Sequence, residues 1–214
     1  MIHNHEEWLQ ARLKGIGASE ASAIIGCNPY MSNVDLWRLK TGRKQAQDIS
    51  SNAHVQYGHD AEGPLRELFA LDYPQFEVSY GGAFDMVHNP EHPYIFATLD
   101  GRLKEKATGR LGVYEGKTTE ILRSMQKEKW KDRIPDNYYV QVIHQLIATG
   151  WEFAVLNAQM KRVFDGDVRT ETRRYFIERA EVQNDIDYLL AEEIKFWTEY
   201  VQKDREPPLI LPEI

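Results

Sequence analysis

Asp100, Glu115 and Lys117 are the residues whose types and spacing could do chemistry together. They fall in two short apolar segments, 94–101 and 111–117, and the second ends in Glu115-Gly116-Lys117. Two carboxylates and a lysine suit hydrolysis of a phosphodiester. That reaction needs a cation against the charge that builds on the phosphorus centre, and it needs an attacking water. Mg²⁺ is held by one or two carboxylates, with waters and substrate oxygens completing an octahedron. Asp100 and Glu115 could supply the carboxylates, and the Gly116 carbonyl a further oxygen. Lys117 would reach the water, to orient it or lower its pKa. The alternative is a pair of strand-end charges forming a surface salt bridge, worth about 0–1 kcal/mol.

These residues need strands to position them. Ile95, Ala97 and Leu99 alternate in the first segment, and Leu111 and Val113 in the second, the pattern of buried strands. The linking stretch is polar and contains Thr108-Gly109, so the connection reads as a hairpin. A period of two puts Glu115 and Lys117 on one face.

The remaining pattern alternates helices and strands. Ser19 reads as the N-cap of a short helix through Ile25, ended by Gly26. Ser32-x-x-Asp35 reads as a capping box opening a helix through Leu39. A third helix is expected over 61–71, with Pro64 acceptable only in its first turn. Strands are expected near 76–84, 94–104 and 111–117. Helices are expected over 121–131 and 137–149, then strands over 153–160 and 172–177. A long final helix carries an apolar seam from Val182 to Val201, interrupted by Glu193. The Pro-rich tail from Glu206 is extended and apolar, suited to packing on the body or on a neighbouring subunit.

Several other residues invite a role. Glu62, Leu65 and Phe69 recur at helical spacing, which puts Glu62 on or beside the buried face. A carboxylate there is costly unless paired or bound to a metal; the alternative is an acid favoured by the helix dipole. Gln141 shares a helix with Tyr138, Val142 and Gln145, and reads equally as a polar residue at a helix margin. His144 reads as structural rather than catalytic. Arg12 could clamp a phosphate bidentately. Ser19 adds a hydroxyl and free backbone N–H groups, so the pair could form a pocket for a terminal 5′-phosphate. A plain N-cap is the alternative for Ser19, and the two roles are compatible. His88 and His92 have metal-ligand spacing, but prolines 90 and 93 flank them and the stretch reads as a loop.

Ordered blocks run through the chain: Trp8-Leu9-Gln10-Ala11-Arg12, Ile16-Gly17-Ala18-Ser19-Glu20 to Gly26 and Pro29-Tyr30, Leu36-Trp37 to Gly42, Gly58-His59-Asp60-Ala61-Glu62, Ala97-Thr98-Leu99-Asp100-Gly101, Glu115-Gly116-Lys117-Thr118, and Pro135-x-x-Tyr138-x-x-Gln141-x-x-His144-Gln145. In this order the set resembles the YqaJ-like viral recombinase family, relatives of phage lambda exonuclease within the PD-(D/E)xK nuclease superfamily. One departure is Leu99 where the motif has Pro, a position that is not a ligand. The resemblance implies an α/β fold with a central mixed β-sheet flanked by helices, restriction-endonuclease-like, in one domain over 1–214. It implies an Mg²⁺-dependent 5′→3′ exonuclease of double-stranded DNA ends, with Mn²⁺ able to substitute. Such an enzyme leaves 3′ single strands for a single-strand annealing protein, and works as a ring-shaped homotrimer. It further implies that Glu62 faces the metals with Asp100 and Glu115, that Gln141 lies by the metal site and its water, and that Arg12 and Ser19 bind the 5′-phosphate. A related nuclease of different polarity, an endonuclease, and an inactive DNA-end-binding protein are the competing readings.

Composition is compatible with this. The chain has 214 residues, 42% hydrophobic and 28% charged, ordinary for a globular domain with a core. The single cysteine, Cys27, excludes an intramolecular disulfide and any cysteine-bound iron–sulfur cluster. There is no long apolar run and no signal-peptide pattern, so a cytoplasmic protein without membrane contact is expected. No P-loop or dinucleotide fingerprint occurs. A net charge of −7 is unusual for a partner of DNA, but net charge describes the far field rather than a local track. Arg123, Lys127, Lys129, Lys131 and Arg133 cluster, either as part of such a track or as a solvated helix face.

Overall fold

The structure, a computed structural model, describes residues 4–47, 51–120, 130 and 133–211. In chain order the elements are α1 (His5–Arg12), β1 (Ile16–Gly17), α2 (Ala18–Ile24), α3 (Asn33–Lys40), α4 (Ala53–Asp72), β2 (Phe76–Ser79), β3 (Met86–His88), β4 (Ile95–Thr98), β5 (Gly101–Glu105), β6 (Leu111–Glu120), α5 (Asp136–Thr149), β7 (Phe153–Phe164), β8 (Asp167–Glu178) and α6 (Gln183–Lys195). A π-helical stretch, Phe196–Val201, continues α6. The helix expected over 121–131, with four of the five clustered cations, lies outside the described residues apart from Trp130.

Five strands form a mixed sheet in the order β2-β5-β6-β7-β8. β6 and β7 are parallel, and the other pairs antiparallel. A parallel neighbour demands a crossover, and α5 lies in it. A smaller sheet has the order β1-β4-β3. The fold is α/β, a central mixed sheet flanked by helices, as expected.

Side-chain alternation along β6 and β7 sorts the core into two faces. Val113, Ala154, Leu156 and Ala158 pack with Ile143, Leu146 and Ile147 of α5. Tyr114, Phe153 and Val155 pack with Phe69 of α4 and Leu103. Glu115 and Lys117 therefore project on the α5 face. Tyr114 and Gly116 belong to the α4 face. α5 buries eight of its fourteen residues, from Val140 to Ala148, because it is wedged between the two sheets and α2.

Four expectations need correction. The segment 94–104 is not one strand: β4 pairs with β1 and β3, whereas β5 pairs with β2 and β6. The chain changes sheets at Leu99-Asp100, and the Asp100 carbonyl takes a hydrogen bond from Arg66 rather than from a strand. Likewise, the expected strand 76–84 ends at Ser79, and β3 is separate. The helix α4 begins at Ala53, not 61, so Pro64 is internal. Its first half has no apolar stripe because polar contacts hold it: Tyr57 Oη donates to Gln159 at 3.1 Å, Lys161 lies over the Tyr57 ring at 4.2 Å, and His54 meets Glu120 at 3.2 Å. Gly58 permits the approach; a Cβ there would lie 3.2 Å from Thr118 Oγ1. Finally, β7 and β8 run longer than the spacing predicts. They meet at Asp165-Gly166, both at positive φ (49° and 83°), the two-residue hairpin signature.

The tail is anchored on the body at Pro208 and Ile210. The buried Asn33 side chain donates to the Pro208 carbonyl at 2.8 Å and accepts from the Ile210 amide at 3.0 Å.

Candidate active site

The switch between sheets brings Asp100 beside the middle of β6. Its Oδ2 accepts the Gly116 amide at 2.9 Å. β5 pairs with β6 only as far as Tyr114, so this edge of Gly116 is free for a side chain. In an extended strand the N–H and C=O of one residue face the same side, so the Gly116 carbonyl is directed to the Asp100 side as well. Gly101 permits the turn: a Cβ there would lie 3.0 Å from Arg66 Cδ and 3.2 Å from Tyr114 Cβ.

Glu115 is 2% exposed. Lys117 Nζ lies 2.6 Å from its Oε1, so the two do share a face, but the pair is no surface salt bridge. Gln141 of α5 donates to the same Oε1 at 2.6 Å, and Gln145, one turn on, donates to Oε2 at 2.5 Å. Lys117 also lies over the Tyr138 ring at 5.5 Å. Beneath the strand, the Tyr114 hydroxyl accepts from Asn157 at 2.8 Å. Gln145 was not singled out by sequence. It is fully buried, and its Oε1 has no hydrogen-bond partner among the described residues; a buried acceptor left so costs about 1–3 kcal/mol.

The electrostatics are those of a cluster short of positive charge. Desolvation and the nearby Glu115 push the Asp100 carboxyl well above the usual range. Desolvation raises Glu62 as well; His59 offsets this in part, and Glu115 adds to it. Burial works against the Lys117 ammonium, but Glu115 and Asp100 outweigh it and raise its pKa. Lys117 is therefore a cationic donor here, not a proton acceptor. Glu62 approaches from α4 with its side chain 33% exposed and 3.7 Å from His59. Among the described residues no three His, Cys, Asp or Glu side chains are grouped to hold a metal alone. The donors that could hold Mg²⁺ are Asp100, Glu115 and the Gly116 carbonyl, with waters, a set that suits an ion that keeps much of its hydration.

A second charged cluster lies at the start of α2. Arg12 donates to Ser19 Oγ at 3.2 Å and to Glu20 Oε1 at 3.1 Å. Arg12 and Ser19 do come together, but not as expected. Gly17, not Ser19, is the N-cap, because Glu20 Oε2 reaches back to the Gly17 amide at 2.9 Å. Ser19 is left exposed, with its hydroxyl turned to Arg12. Lys40, its side chain fully buried, closes the cluster at 2.6 Å from Glu20 Oε2. Burial opposes the Glu20 charge, but Lys40, Arg12 and the Gly17 amide outweigh it and lower its pKa. Glu20 and Lys40 were not foreseen as partners, since their approach is tertiary.

His144 takes no part in either cluster. Its Nδ1 faces Glu193 Oε1 at 2.5 Å, and its Nε2 donates to the Phe96 carbonyl at 2.8 Å. Burial disfavours the charged ring, but Glu193 and the carbonyl raise its pKa. It ties α5 to α6 and β4, the structural role expected, and it accounts for the acid in the apolar seam of α6. Among the described residues no helix is long and apolar enough to cross a membrane.

The chain matches the YqaJ-like viral recombinase domain over residues 7–152. The uncharacterized protein YqaJ of Bacillus subtilis (strain 168) is 30% identical over 219 residues, covering 96% of this chain and 59% of the relative. The chain thus spans about three fifths of that relative's length. An alkaline exonuclease from Laribacter hongkongensis shares the fold with a TM-score of 0.60 at 20% identity, over 94% of this chain and 97% of that one. A phage-related exonuclease from Haemophilus somnus 129PT does so with a TM-score of 0.55 at 12% identity, over 89% and 96%. Motifs, fold and domain match converge, and the chain belongs to the YqaJ-like viral recombinase family.

Proposed function

We propose that this protein is an Mg²⁺-dependent 5′→3′ exonuclease acting on double-stranded DNA ends in phage-type recombination. The observation that carries the reading is the convergence of Asp100, Glu115 and Lys117 around the Gly116 peptide. Family membership supports a phage-type nuclease, and the fold is one that known alkaline exonucleases use.

Bound at Asp100, Glu115 and the Gly116 carbonyl, with Glu62 on the outer side, Mg²⁺ would supply Lewis-acid stabilisation of the developing phosphoryl charge. The rest falls to the chain. Lys117 holds a positive donor beside Glu115, placed to orient a water. Gln141 holds one oxygen of the Glu115 carboxylate. Arg12 and Ser19 are adjacent, and the guanidinium edge not taken by Glu20 can meet a terminal 5′-phosphate. Polarity would follow from the separation of that pocket from the cleavage centre. The reading extends to Mn²⁺ as a substitute, to a homotrimeric ring, and to a single-strand annealing protein as recipient of the 3′ strands.

The test is digestion of end-labelled linear duplex beside a covalently closed circle, each with and without Mg²⁺. The reading expects Mg²⁺-dependent loss of the linear duplex from its 5′ ends and an intact circle. Cutting of the circle would mean endonuclease activity, and no digestion would leave an end-binding protein. Sedimentation of the protein tests the trimer.

A further inference from the structure

The geometry points to Gln145 as a positioning residue that sets the orientation of the Glu115 carboxylate for metal binding. This rests on the nuclease reading and adds to it a residue that never touches substrate.

Glu115 Oε1 is held by both Lys117 and Gln141, whereas Oε2 has Gln145 as its donor. Residues four apart on a helix share a face, so α5 presents Gln141 and Gln145 as a two-point clamp, one amide to each oxygen. A carboxylate pinned at one oxygen can still rotate about its Cγ–Cδ bond. Pinned at both, it cannot. Oε1 already accepts from two donors, so the lone pair that remains free for a cation belongs to Oε2, the oxygen that Gln145 aims.

The placement of Gln145 is not explained by packing. The residue is fully buried on α5, a helix whose Val142, Leu146 and Ala148 belong to the apolar core, and Leu or Met would fill the space. Opposite a carboxylate only the NH₂ end of the amide can face forward. The carbonyl end is then left buried with no partner among the described residues. A residue kept at that cost is one whose donor matters.

The test compares wild-type protein with Gln145→Met, which keeps length and volume and removes the donor. Mn²⁺ binding is measured by calorimetry, duplex binding without metal by fluorescence anisotropy, and folding by thermal unfolding. The expected result is Mn²⁺ affinity weakened by about 10- to 100-fold, the range for lost outer contacts to a metal ligand. Duplex affinity and melting temperature should stay close to wild type, and the metal concentration at half-maximal digestion should rise with KM for DNA unchanged. Wild-type Mn²⁺ affinity in Gln145→Met would overturn the inference while leaving the nuclease reading intact. No Mn²⁺ uptake by the wild type would instead remove the nuclease reading. A measurement on wild type covers a variant that fails to fold: in a Mg²⁺ titration the Gln145 side-chain amide resonances should move with the same midpoint as the Gly116 amide. Immobile Gln145 resonances would overturn the inference.

Discussion

Two clusters of charge lie in this molecule, and they are built oppositely. At the start of α2 one buried carboxylate, Glu20, meets Arg12, Lys40 and a backbone amide, and its pKa is lowered. At the edge of β6 the Glu115 carboxylate meets Lys117, with Asp100 and Glu62 within electrostatic reach, and the pKa values of Asp100 and Glu62 are raised. The first cluster is complete in its own charges, with positive charge to spare. The second carries more negative than positive charge. On the proposed reading, the same residue types serve as a structural anchor beside an anion pocket in one place and as a cation site in the other. What separates them is the count of opposite charges within reach, not burial.

The comparison can be broken by substitution. Lys117→Ala should lower digestion by roughly 10²–10⁴-fold while circular dichroism stays native. Wild-type rates in that variant would remove Lys117 from the chemistry. Glu20→Ala should act on the fold instead. It leaves buried Lys40 and Arg12 without their counter-charge, a loss of about 3–5 kcal/mol, measurable by denaturant unfolding. A stable Glu20→Ala protein would mean that this cluster is not the anchor described.

Smaller effects sharpen the contrast. If the spare charge of Arg12 holds the end of the DNA, a duplex with 5′-phosphate should be digested about ten- to a hundredfold faster than one with 5′-hydroxyl, since a charge-assisted hydrogen bond contributes roughly 1.5–3 kcal/mol. Arg12→Ala should erase most of that difference and leave slow digestion from hydroxyl ends. Equal wild-type rates on both substrates would assign Arg12 elsewhere. The smallest effect is at Asp35, a more exposed carboxylate that Lys44 and Ser32 hold down to about 2. Its stabilisation is fully present above the ordinary Asp range and lost as pH falls through about 2. Solvent screening limits it to below about 1 kcal/mol. Comparing acid unfolding of wild type and Asp35→Asn reads this out.

What sequence reveals divides along similar lines. The Glu115/Lys117 face, the hairpin, α5 and the capping box at Ser32 come from local periodicity and turn chemistry, and they stand as read. Asp165-Gly166 carries a local signal too, though strand spacing alone stops short of it. The start of α4 is not local: its first half has no apolar stripe and is held by β6 and β7. Nor is the change of sheets at Leu99-Asp100, where alternation continues through the break. Glu20–Lys40, Gln145–Glu115 and His144–Glu193 join residues 20, 30 and 49 apart. Sequence offers the partners but not the pairing. Glu193, a lone acid in an apolar seam, is the one visible sign that a buried polar partner stands opposite.

The central claim is that the cluster at β6 is completed by a metal. Asp100→Asn tests it most directly, because the substitution keeps the shape and removes one of the crowded charges. Unfolding temperature and duplex digestion are followed together as Mn²⁺ is titrated into wild type and variant. Without metal the variant should melt at or above wild type, since relief of like-charge crowding favours it. Metal should raise the wild-type melting temperature as binding to the folded state requires, leave the variant unmoved, and support digestion only in wild type. A variant that melts lower without metal, gains the same metal shift, and digests duplex at the wild-type rate would contradict the account.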